Sequence, residues 1–348
     1  MDYRPLGRTG IRVSSLSLGT MTFGCDTDEA EAHRMLDLAV DRGVNHFDTA
    51  ELYPVPPDAE RAGAAETILG NWLAARGGRD RIVVATKVVG PPVPGEGAFI
   101  RGGRTGLDRA SIRAAIEGSL RRLRTDHVDL YQLHWPARHA NFFGRLNYRH
   151  EPDDEATPIR ETLEALAGLV AEGKVRAIGL SNETPWGVME FLRLAERHDL
   201  PRAAAIQNPY SLLNRSFEVG LAEMACREDV GLLAYSPTAC GTLTGKYLDD
   251  PATPGKMVTM KHYFFRYAQP RCPTAIADYV AAARAFGIAP AKMAIAFART
   301  RPFVTGVILG ASNAGQLSEN LDAHDTVLPE ALIERIDALY DRHQCVAA

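Results

Sequence analysis

The 348-residue chain lacks any long apolar run. Nothing in it approaches the roughly 18 consecutive apolar residues of a membrane-spanning helix, and the opening MDYRPLGRTGIRVSSLSLG holds no signal-peptide core. Cysteine is scarce. Cys25, Cys226, Cys240, Cys272 and Cys345 are odd in number and scattered, with no C-x-x-C pair and no metal-ligand spacing to a histidine. A disulfide framework and a zinc module are thereby excluded, and reduced thiols in a cytoplasmic protein are expected. Charge of one sign is missing too: the formal net charge is -4, acids and bases are mixed, and no basic tract occurs. Nucleic acid and membrane are therefore set aside as partners. Finally, no glycine triplet has the G-x-G-x-x-G spacing that opens a Rossmann dinucleotide site.

What the chain does have is alternation. Short β-branched or apolar runs occur at 14–20, 44–49, 82–87, 128–135, 175–182, 203–208, 231–237 and 304–310. Helix-period segments lie between them, as with Ile112, Ile116, Leu120 and Leu123, or Leu163, Leu166, Leu169 and Val170. Eight strand–helix units predict parallel strands with helical crossovers, and within this length they fit a closed (β/α)8 TIM barrel better than an open sheet. One domain over 1–348 is expected. DYRPLGRTGIRVS reads as an N-terminal β-hairpin through Gly7 and Gly10 that plugs the barrel floor. Leu332, Ile333, Ile336, Leu339 and Tyr340 share one face of a final helix packed outside. Three connections, 88–107, 136–157 and 238–272, are too long to be turns. Each follows a strand's carboxyl end, the rim where barrel active sites are built.

Polar side chains collect at those strand ends. Asp48 ends the second strand with Tyr53 just beyond it, Lys87 ends the third, and His134 the fourth. Asn182, Gln207 and Tyr235 end the next three. Each has a plain reading by itself: Asp48 as a helix cap, Lys87 as a solvated lysine, His134 as structural, Tyr53 as loop packing. Together they make a specific chemistry. A phenol ordinarily ionises near pH ~10, and a neighbouring ammonium favours its phenolate. A carboxylate keeps that ammonium charged and oriented. A neutral imidazole holds a carbonyl oxygen while the phenol protonates it, which suits reduction of an aldehyde or ketone by a hydride donor.

FDTAELY with TK, LYQLHWP, IGLSN, IQNPYSLLNR and LLAYSP resembles the aldo-keto reductase superfamily in order, spacing and context over essentially the whole chain. LGTMTFG, the YPVPP loop and NPYSLLNRSFEVGLAEM are most similar to its Tas-type bacterial branch. The resemblance implies that Tyr53 is the proton donor, Lys87 its partner, Asp48 the support of Lys87, and His134 the group orienting the carbonyl. Trp135 would line the substrate mouth, its other reading being simple packing.

The resemblance further implies NADP(H), bound on the rim without a Rossmann fold. Ser181, Asn182 and Gln207 would hold the nicotinamide carboxamide and Tyr235, followed by Ser236, would stack on the ring. Without the family, Ser181–Asn182 reads as a helix cap. GTLTGKY, Gly241 to Tyr247, has one residue too few between its glycines for a P-loop and Tyr247 where Ser or Thr is needed. As a belt over the pyrophosphate, with Leu243, Gly245 and Lys246, it fits, and Arg266 could join it. Gly310, Ser312, Gln316, Glu319 and Asn320 match the adenosine site. One departure stands out: GASNAGQ has Ser312 and Asn313 where many relatives carry a base for the 2′-phosphate, leaving hydroxyl, amide and helix N-terminal donors.

The expected function is thus an NADP(H)-dependent oxidoreductase acting reversibly on small carbonyl compounds. An NADP(H)-binding regulatory subunit on the same fold is the alternative. A hydrolase using Asp48 and Glu51 fails, since two acids three residues apart share one side of a bond and Lys87 goes unexplained. No metal is expected, although His139 and His150 lie near one another. Phe142, Phe143 and Tyr148 read equally as pocket walls or loop anchors. Glu51 reads as a cap or rim residue without a role.

Overall fold

All eight apolar runs form strands, and they pair in chain order. The computed structural model describes residues 1–93, 99–152, 154 and 156–348. Two short strands, β1 (Tyr3–Pro5) and β2 (Arg12–Ser14), form an antiparallel hairpin. Then follow β3 (Leu16–Gly19), β4 (His46–Asp48), β5 (Val83–Val88), β6 (Val128–Leu133), β7 (Val175–Ser181), β8 (Ala203–Pro209), β9 (Gly231–Tyr235) and β10 (Val304–Leu309). These eight close into a parallel barrel, with β10 pairing back onto β3 through Val307 opposite Leu16. The expected (β/α)8 barrel with its N-terminal hairpin is what the chain forms.

The strands are apolar almost throughout because both faces are covered. β5, β6 and β10 contain no exposed residue. Side chains alternate between the barrel interior and the surrounding helices. Phe47, for example, packs edge-on against Trp72 of the helix Ala64–Arg76, with ring centroids 5.5 Å apart. Its neighbours His46 and Asp48 therefore face inward. Crossover helices begin at side-chain caps: Asp28 before Glu29–Asp41, Asp108 before Arg109–Leu123, and Thr184 before Pro185–His198. Because Thr184 caps that last helix, Ser181 and Asn182 are released from the capping role they could have had.

The hairpin does seal the floor. Leu6, Ile11 and Val13 form one buried cluster with Ala85, Leu130, Ala205 and Leu233 from inside the barrel. The turn passes so close to β8 that a Cβ on Gly7 would lie 2.6 Å from the Ala204 carbonyl oxygen, and Gly7 has φ +55°. At the other end of the chain, helix Glu330–His343 buries Leu332, Ile336 and Leu339 against the outside helix Cys272–Ala285.

Two of the long connections carry structure of their own. A 3-10 turn, Ile100–Gly103, lies in 88–107, and short helices Lys246–Asp249 and Lys256–Thr259 lie in 238–272. The stretch 94–98 of the first connection, and positions 153 and 155 of the second, lie outside the described residues. Among the described residues no single helix is long and apolar enough to cross a membrane.

Candidate functional site

A cavity of about 570 Å³ opens at the carboxyl end of the barrel. All three long connections contribute to its wall, through Val93, through Phe143 and Arg145, and through the stretch from Thr238 to Tyr267. Phe142 does not line it; it packs edge-on against Phe143 at 5.0 Å. Tyr148 is exposed on the loop beside His139 and His150, so only Phe143 serves as a wall.

Asp48, Tyr53 and His134 line the bottom of this cavity, with Lys87 fully buried beneath them. β4 and β5 are hydrogen-bonded neighbours, and their register sets Asp48 beside Ala85, two residues from Lys87. The ammonium Nζ donates to Asp48 Oδ2 at 2.5 Å and to the Thr49 carbonyl at 2.8 Å, and lies 3.4 Å from the Tyr53 hydroxyl. Burial pushes the Lys87 ammonium below the ordinary lysine range, and the Asp48 carboxylate pulls the other way. His134 is held well below the usual imidazole range by burial, with Lys87 adding to the effect. Its ring is therefore neutral near neutral pH. It meets the Tyr53 ring edge-on at 5.7 Å, and its Nδ1 is buried without a hydrogen-bond partner among the described residues. The four sequence-predicted residues are thus gathered at one point.

The next strand ends form a second network. Asn182, with φ +54°, donates through Nδ2 to the His134 carbonyl and to Ser181 Oγ, and accepts from the Tyr235 hydroxyl at 2.7 Å. Ser181 Oγ donates to the Gln207 carbonyl. Gln207 Nε2 donates to Asp48 Oδ1 at 2.8 Å. Ser181, Asn182, Gln207, Tyr235 and Ser236 all line the cavity, and all but Ser236 bond to one another or to the tetrad.

Farther out, Lys246, Arg266, Gly310, Ser312, Gln316 and Asn320 share the wall. Three of the expected cofactor residues do not line it. Leu243 is buried in the 3-10 turn Thr242–Thr244; Gly245, at φ +86°, lets the chain pass Val280 and Arg284; Glu319 is exposed on the helix Ala314–Leu321. Trp135 also lies elsewhere. As the residue after His134 it faces away from the main cavity, is 1% exposed, and donates from its indole to the Pro91 carbonyl. It lines a smaller cavity of about 190 Å³ beside Arg138 and Trp186.

Sequence reasoning missed three residues. Glu51 is neither a cap nor a rim group: it is 3% exposed, accepts from the Val89 backbone N–H at 2.8 Å, and pairs with Arg101. Burial lifts its carboxyl above the usual range while Arg101 opposes that. It therefore ties Val89, at the start of the 88–107 connection, to Arg101 within it. Lys256 lines the cavity with its ammonium 3.9 Å from where a Cβ on Gly310 would stand, and no hydrogen bond or ion pair to a described residue holds it. Gln132 is buried beside Asp48. The helix N-terminus expected to help bind phosphate is already engaged. Ala314 N–H donates to Glu31 Oε1 at 2.6 Å, and Gln316 N–H to Asn313 Oδ1 at 2.9 Å.

Comparison with known proteins agrees with this geometry. The sequence profile described as Aldo/keto reductase family matches residues 15–341. The chain is 48% identical over 340 residues to Protein tas of Escherichia coli (strain K12), covering 98% of each. It is 34% identical over 342 residues to the uncharacterized oxidoreductase YrpG of Bacillus subtilis (strain 168), covering 98% of this chain and 96% of that one. A probable voltage-gated potassium channel subunit beta of Oryza sativa subsp. japonica is 31% identical over 348 residues, covering 97% and 96%. With its barrel, its rim tetrad and a family match over nearly its whole length, the chain belongs to the aldo/keto reductase family of oxidoreductases.

Proposed function

We propose that the protein is an NADP(H)-dependent reductase of small aldehydes and ketones, working reversibly in the cytoplasm. The observation that carries this reading is the Lys87 ammonium, fully buried, bonded to Asp48 and 3.4 Å from the Tyr53 hydroxyl at the base of an open cavity. Five free cysteines support the compartment.

The residues present fit such a cofactor by their donor chemistry. Lys246, Lys256 and Arg266, all from the 238–272 connection, bring cations to the outer wall that match phosphate oxygens, while Asp48, the one acid among the described lining residues, is already committed to Lys87. Lys256, beside Gly310, supplies from the 238–272 segment the base that GASNAGQ lacks. It is the residue we assign to the 2′-phosphate. Gln207 and Tyr235 would meet the nicotinamide end. Bound there, NADPH supplies a hydride.

The chain's own residues then deliver the proton. The neutral His134 imidazole orients the carbonyl oxygen toward Tyr53. As charge develops on that oxygen, the Tyr53 hydroxyl gives up its proton and Lys87 stabilises the phenolate left behind. Asp48 keeps the ammonium charged against its burial. Met21, Leu52, Val55 and Phe143 give the mouth an apolar lining that excludes water from the reacting atoms.

Tyr53→Phe tests this. Reduction of a panel of aldehydes and ketones, followed by loss of the NADPH absorbance, should fall by about 10²–10⁴-fold while NADPH affinity stays near wild type. Full turnover by the variant would remove Tyr53 from the mechanism. The similarity to a channel-type β subunit favours one second reading, a cofactor-binding regulatory subunit. NADPH binding without turnover across the panel would select it.

A further inference from the structure

The upper ring of the barrel holds a side chain that proton delivery does not use. Gln132 is fully buried on β6. Alternation along that strand turns Leu130 and Gln132 inward, and Gly179 on the adjacent β7 makes the room. A Cβ on Gly179 would stand 3.0 Å from Gln132 Cγ. Gln132 Nε2 donates to Asp48 Oδ1 at 3.1 Å. Gln207 Nε2 donates to the same oxygen at 2.8 Å and to Gln132 Oε1 at 3.3 Å. The three side chains form a closed triangle.

We propose that Gln132 is a positioning residue that fixes which end of the Gln207 amide faces the cofactor. A carboxylate accepts and never donates, so Asp48 Oδ1 demands the NH2 end of any amide beside it. Gln132, whose own NH2 end is drawn to Asp48, must turn its carbonyl toward Gln207. Gln207 is then held by two acceptors, and flipping its amide would set oxygen against oxygen twice. Its Oε1 makes no hydrogen bond to a described residue and is not buried, so it is the end that Gln207 shows to the cavity it lines. The ligand group matched to that oxygen is an N–H donor, as on a nicotinamide carboxamide. Gln132 thereby links the proton-delivery residues to the recognition of that amide.

This inference rests on the proposed nicotinamide cofactor, and its test needs binding alone, so it stands apart from whether carbonyl turnover occurs. Fluorescence titration would compare NADP⁺ with its 3-acetylpyridine analogue, whose acetyl group has no N–H. The wild type should prefer NADP⁺ by about tenfold, one hydrogen bond to a buried polar group. Gln132→Met keeps the volume and removes both bonds, leaving Asp48 Oδ1 as the one described acceptor that opposes a flip of Gln207. Its preference should shrink to about threefold or less. Gln132→Glu keeps the chain length and still offers Gln207 Nε2 an acceptor, so its preference should stay near the wild-type value while that of the methionine variant shrinks, and loss of the preference in the glutamate variant would also overturn the proposal. Uniform weakening of both ligands with the ratio preserved, or no preference in the wild type, would overturn the proposal.

Discussion

The lower half of the barrel interior is filled by Ala85, Leu130, Ala205 and Leu233, closed by Leu6 and Ile11. Two residues farther along the same strands stand Lys87, Gln132, Gln207 and Tyr235. One step of the strand repeat thus separates an apolar plug from a ring of hydrogen-bonded polar groups. The plug denies water to the ring from below, so the Lys87–Asp48 pair interacts in a poorly screened environment. There its attraction is strong and its desolvation costly. The ring is held by complementarity, the plug by volume, and each should fail differently.

The largest break should come in the ring. Lys87→Met leaves Asp48 buried without its cation and should destabilise the fold by about 3–5 kcal/mol in urea unfolding, with reduction lost as well. In the plug, Leu6→Ala should destabilise by about 2–5 kcal/mol through the cavity it leaves, yet kcat of the folded protein should hold. If Leu6→Ala instead abolished activity at full stability, the separation of the two layers would be wrong.

His46 sits at the boundary, one step below Asp48, with Nδ1 beside Ser17 Oγ at 2.8 Å and Nε2 buried without a partner among the described residues. Burial lowers it to about 4, with smaller effects from Asp48, Lys87 and Asp129. The unfolded chain takes up this proton below an ordinary 6.5 or so, while the folded one waits until about 4. Stability should therefore fall as pH drops through that window. From about pH 7 to about pH 5 the loss should be about 2 kcal/mol, with His134 acting in the same direction. Urea midpoints across that range check it, and a flat profile would place a proton acceptor where none is seen.

The smallest effect belongs to the outer wall. Lys256→Ala should weaken NADPH by about tenfold and leave NADH nearly unchanged, in parallel titrations. Equal weakening of both would move Lys256 from the 2′-phosphate to the shared part of the cofactor.

The strands were legible because both-faces burial writes unbroken apolar runs, and the tetrad because its members stand at strand ends. Of the two readings open for Trp135, strand parity favours packing: it follows His134 and faces away from the main cavity. Gln132 shares parity with His134 and with the apolar Leu130, which is the signal in the sequence for an inward-facing polar group. Glu51 was opaque, since its partner Arg101 lies fifty positions on and no local pattern links the two. Lys256 was hidden for the same reason, reaching Gly310 from a different rim segment.

With Leu6 and Ile11 seated in its base, the barrel is a blind well. On the proposed mechanism, a proton spent by Tyr53 is replaced through the opening that reactant and product also use. Recharging the phenol and clearing the product are then successive uses of one doorway, and a ligand that lingers in the mouth delays both.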